Sequence, residues 1–190
     1  MKLTIFLMAI AIVPASAQPA QMKPAPPASI AAKPVGTLGT SEIAPVPLPT
    51  INALEKEMDG RIAATGGSSP CIVLGQTRGL YVSGLGAVFT AEVELAVTPG
   101  GVGIFQTQIS AEQKAKYRKD KLTHVPLLEQ TLRDMALALS ASPALKMADT
   151  DQVVVATRLV YRPWEDMSGL PGQIVARLDR RGGTVKVEVQ

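Results

Sequence analysis

The sequence predicts an α+β fold, an antiparallel or mixed β-sheet with a helical layer on one face. Three patterns predict it. Val125, Leu128, Leu132, Met135 and Leu139 recur at spacings of three and four, the stripe of an amphipathic helix. Phe89, Ala91, Val93, Leu95 and Val97 fall on every second position with Glu92 and Glu94 between them, the period of a strand with one buried and one wet face. Residues 174–189 alternate again on both sides of Arg181-Gly182-Gly183, as a closing hairpin does.

The chain opens with Lys2, an uncharged apolar run over residues 3–13, Pro14, and Ala15-Ser16-Ala17. That order predicts a signal peptide over residues 1–17, cut before Gln18. The run is too short to cross a hydrocarbon core of about 30 Å as a helix. The expectation is therefore an exported protein, periplasmic or secreted, with no transmembrane segment after cleavage. Residues 18–50 hold Pro19, Pro24, Pro26, Pro27, Pro34, Pro45, Pro47 and Pro49 and no aromatic residue. Proline fixes φ and removes a donor, so this stretch reads as a disordered or extended tether.

A single domain is expected over residues 51–190. Ile51, Leu54, Met58 and Ile62 share a helical face, with Thr50 as its cap and Gly66-Gly67 as its exit. Residues 71–74 read as a strand. Residues 80–97 read as extended structure broken at Gly84-Leu85-Gly86 by a bulge or sharp bend. Thr98-Pro99-Gly100-Gly101 reads as a turn, and Ile104-Phe105 as a short extended piece. Ser110 and Gln113 have capping-box spacing at the start of the main helical region. Pro126 either kinks one helix or lies in the first turn of a second. Residues 140–143 end that region. Residues 152–162 are apolar on both faces at their start and predict a central strand; residues 163–172 predict a loop.

The formal charge of +3 is misleading for the domain. Lys2, Lys23, Lys33 and Glu42 are the charges of residues 1–50, and residues 51–190 carry 16 basic and 15 acidic side chains. A nucleic-acid binder needs a basic field against phosphate, so none is expected. Cys71 is the single cysteine and sits in an apolar run, which fits a small core residue and allows no internal disulfide.

His124 is the single histidine. A hydrolase would use it as a base, but no Gly-x-Ser-x-Gly elbow accompanies it, and a surface or helix-junction position accounts for it. Its adjacent Val125-Pro126 suits such a junction. One histidine and one cysteine cannot assemble a usual zinc set, and no cofactor is expected. Glu92 with Glu94, or Asp149 with Asp151, could serve as an acidic pair; a wet strand face and a turn account for them more simply. Gly84-Leu85-Gly86 precedes a strand-like run, the wrong context for a phosphate loop.

Two surfaces remain as candidate partner sites. Lys114, Arg118 and Lys121 project from one side of the helix, suited to an anionic envelope surface or to simple solvation. Trp164 lies in the loop Arg162-Pro163-Trp164-Glu165-Asp166-Met167-Ser168-Gly169-Leu170-Pro171, either packed over the sheet or exposed as a recognition anchor.

Residues 81–89 and 164–171 resemble segments of an exported bacterial protein family of unknown function. The resemblance spans residues 71–180 and implies an envelope protein; it carries no functional residue. The sequence thus leads to an expectation of an exported, non-catalytic binding or structural module of the bacterial envelope. Its partner would be an envelope protein or an anionic envelope surface. A small envelope hydrolase using His124 or an acidic pair is the alternative.

Overall fold

Two prolines begin the first helix rather than preventing it. Helix α1 (Leu48–Ala64) has Pro47 as its N-cap and Pro49 in its first turn, where a missing N–H costs nothing. Thr50, expected as the cap, lies inside that turn and donates its N–H to the Pro47 carbonyl at 2.9 Å. The helix therefore starts three residues within the stretch read as tether. Ile51, Met58 and Ile62 are buried as the stripe requires, and Leu54 packs beside them. Gly66 and Gly67 leave the helix with positive φ, the expected exit. This structure is a computed structural model that describes residues 46–97 and 109–190. The expected signal peptide, most of the expected tether, the expected turn at 98–101 and the expected Ile104-Phe105 piece lie outside the described residues.

The described residues form a mixed six-stranded sheet with two α-helices. Strands β1 (Ile72–Val73) and β2 (Arg78–Val82) both pair antiparallel with β3 (Gly86–Glu94), one after the other along the same edge. Gly84-Leu85-Gly86 is the hairpin turn between β2 and β3, with Leu85 N–H bonding the Val82 carbonyl at 3.0 Å, rather than a bulge within one run. Strand β4 (Gln152–Leu159) pairs parallel with β3, and β5 (Gln173–Asp179) and β6 (Val185–Val189) follow as antiparallel neighbours. The parallel pair needs a long crossover, which α2 (Ala111–Ala141) provides.

Helix α2 starts with the full capping box. Ser110 Oγ accepts from Gln113 N–H, and the Gln113 side chain accepts from Ser110 N–H. Pro126 sits inside one continuous helix, on its exposed side. Leu128, Leu132, Met135 and Leu139 are buried against Phe89, Val93, Val153, Val155, Ile174 and Ala176. Both helices thus share one core with one face of the sheet. On the opposite face, Thr90, Glu92, Arg158 and Arg177 are exposed.

The alternation holds from Phe89 to Val93 and fails beyond it, at the C-terminal end of the expected stripe. Val97 is exposed instead of buried, and Glu94 is buried instead of wet. Glu92 behaves as expected, exposed and paired with Arg158 directly across the sheet at 3.2 Å. Cys71 is buried, and its thiol donates to the Leu95 carbonyl at 3.4 Å. Burial raises that thiol to a pKa of about 11.

Candidate functional site

The buried stripe of α2 does not stop at Leu128. It continues toward the N-terminus through His124 and Lys121, again at spacings of four and three. Lys121 is completely buried. Its ammonium bonds both carboxylate oxygens of Glu165, at 2.7 and 2.8 Å, and lies 3.8 Å from Glu94 Oε1. It also stands 5.3 Å from the centre of the Tyr161 ring. Glu94 in turn accepts from Arg162 at 3.2 Å. Two cations and two carboxylates therefore meet where the end of β3, the middle of α2 and the chain after β4 converge. Such burial is tolerable only with charges paired and donors engaged.

This cluster docks residues 160–172 onto α2. Arg118 reaches the same loop, donating to the Ser168 carbonyl at 2.6 Å with Asp166 at 3.4 Å. Asp166 accepts Ser168 N–H at 2.9 Å; hydrogen bonding from the Ser168 side chain, then from this N–H, with a smaller contribution from the Arg118 charge, holds its carboxyl below the ordinary range. Tyr161 donates to the Pro171 carbonyl at 2.6 Å. Burial, then the Glu165 charge, pushes the Tyr161 phenol up to about 12. Leu170 turns inward to the core, while Trp164 is half-buried with its ring 6.0 Å from that of Tyr117, tilted by 58°. Met167 remains exposed.

The side of α2 expected to present Lys114, Arg118 and Lys121 outward is therefore divided. Lys114 is exposed, Arg118 is half-buried against the loop, and Lys121 is inside. The correction for Lys121 has a definite cause: Glu165 and Glu94 supply counter-charge that the helix sequence alone does not show. Glu94, Tyr161, Arg162 and Glu165 were not recognised from sequence as members of one site. The available signal was the position of Lys121 on the continued apolar stripe.

His124 is buried rather than at the surface. Its Nδ1 lies 2.5 Å from the Asp120 carbonyl, which can only accept, so Nδ1 carries the proton. Nε2 is buried without a hydrogen-bond partner among the described residues. It faces Gly66 so closely that a Cβ there would collide with the imidazole. Backbone thus fills the position a substrate proton would need.

Neither expected acidic pair shares one environment. Glu92 is outside and Glu94 inside; Asp149 is exposed, whereas Asp151 is buried and accepts from Ala148 N–H at 2.9 Å and from Tyr81 OH at 2.8 Å. No group of three or more His, Cys, Asp or Glu among the described residues could hold a metal ion. No described helix is long and apolar enough to cross a membrane. No protein-family model, curated protein or solved structure matches the chain.

Proposed function

We propose that the protein is an exported, non-catalytic binding module of the bacterial envelope, with the loop docked on α2 as its recognition surface. Export rests on the signal-peptide pattern of residues 1–17. The observation that carries the binding reading is the contrast within one loop. Buried Lys121–Glu165 contacts fix its position, while Trp164 and Met167 keep exposed surface above them. Large side chains on a pre-positioned support lose little entropy on binding, which is how interface anchors act. A protein partner fits this surface better than an anionic envelope surface, because Arg118 and Lys121 are already engaged within the domain. The hydrolase alternative has less support, since Gly66 occupies the space before His124 Nε2.

The test is capture from envelope extracts by the wild-type protein and its Trp164→Ala and Met167→Ala variants, with melting measured alongside. A component bound by wild type should be bound about tenfold or more weakly by Trp164→Ala, with the melt little changed. Undiminished capture by both variants would remove this loop from the binding surface. Ester, peptide or glycan hydrolysis abolished by His124→Ala would replace the binding reading with the enzymatic one.

A further inference from the structure

The two outer edges of the sheet are guarded differently. Strand β6 carries Lys186 and Glu188, charged side chains of the kind that discourage edge pairing. Along β2, helix α1 supplies the guard. Glu55 accepts Gly79 N–H at 2.7 Å, and Asp59 accepts both Thr77 N–H at 2.9 Å and its hydroxyl at 2.6 Å. These bonds show that Gly79 turns its backbone donor away from β3. The pleat sends Tyr81 the same way. No hydrogen bond reaches the Tyr81 N–H or C=O from that side among the described residues. The seal thus ends one residue pair short.

Apolar surface gathers where it ends. Leu80 is 61 % exposed and Leu85 51 %, with Val82 also exposed. A groove beside them is lined by Val46, Leu48, Ile51, Leu80 and Tyr81. Leu48 is 69 % exposed. Monomeric proteins seldom leave an open strand edge beside such a cluster.

We propose that a second copy of this chain occupies this edge, through antiparallel β2–β2 pairing about a two-fold axis at Tyr81. The pattern is self-complementary. With Tyr81 opposite its counterpart, their outward N–H and C=O groups exchange two hydrogen bonds. Leu80 of each copy then falls opposite Val82 of the other, on the face of the sheet away from the helices. A two-fold contact uses this short unsealed stretch twice, once from each copy. A long extended peptide would need the positions that Glu55 and Asp59 already occupy.

The test is the oligomeric state of the protein, purified as the cell processes it, by sedimentation equilibrium. The wild type should dimerise, and Leu80→Lys should raise the dimer Kd by more than about tenfold without lowering the melt. Val189→Lys, at an exposed position on the opposite edge, should leave the Kd unchanged. Register is read by disulfide trapping: Leu80→Cys chains mixed with Val82→Cys chains should cross-link, and neither should do so alone. A monomeric wild type overturns the proposal, as does a dimer indifferent to Leu80→Lys. Cross-linking by either single variant alone overturns the register. A monomer whose Tyr81 amide is protected from exchange would assign the edge to another segment of this chain.

Discussion

A methyl group at position 66 would meet both the His124 ring and the Ser69 carbonyl, and the φ of 91° there already disfavours any side chain. Gly66→Ala should therefore destabilise the protein by about 1–3 kcal/mol in urea unfolding. Adding His124→Ala should recover only part of this, because the Ser69 carbonyl and the backbone angle remain. Cys71 and Tyr161 contribute to the alkaline limit, as does Tyr81, whose phenol is pushed up by burial and then by Asp151. The folded-state values of Cys71 and Tyr161, about 11 and about 12, lie above the ordinary 9.0 and 10.0. The unfolded chain releases these protons first, so stability is full below pH 9 and falls as pH rises toward 11 for the thiol and 12 for the phenol. Unfolding followed from pH 8 to 12 should show that decline, and Cys71→Ala with Tyr161→Phe should lessen it. At residue scale the sequence anticipated the place of Cys71 but misplaced His124. Nothing in its neighbours reveals that a glycine from the α1 exit packs against its ring.

At the scale of elements, α2 carries a hydrophobic and an ionic half on one continuous stripe. Leu132 is fully buried among sheet residues, and Leu132→Ala should cost about 2–5 kcal/mol. Lys121→Ala removes the counter-charge of Glu165 and leaves buried carboxylate behind, for an expected loss of about 3–5 kcal/mol. Lys114→Ala, at an exposed position of the same helix, should stay within about ±0.5 kcal/mol. Urea denaturation of the three variants separates these cases, and equal effects at Lys114 and Lys121 would contradict the burial of Lys121. The stripe from Leu128 to Leu139 was visible because apolar side chains mark their own burial. Its extension was hidden because lysine normally marks solvent, and the acids that reverse this lie on β3 and in a distant loop.

For the whole molecule, the N-terminal boundary is a packing question. Val46 packs against the core, Pro47 caps α1, and Leu48, Pro49 and Thr50 form its first turn. A chain beginning at Val46 should melt as the longer protein does. One beginning at Ile51 should melt several degrees lower, each 1 kcal/mol lost moving Tm by about 2–8 °C. Equal melting of the two by calorimetry would show that these residues contribute nothing to the fold. The sequence by itself determined the fold class, the stripe of α2, its capping box, the central place of β4 and the closing β5–β6 hairpin. Each is encoded locally, in a period of two or 3.6 residues or in a cap a few positions long. Only the tertiary structure decided that β3 and β4 run parallel, that Glu94 is inside while Glu92 is outside, and that Lys121 meets Glu165. Those outcomes depend on residues 27 to 68 positions apart in the chain, whose proximity no local period records.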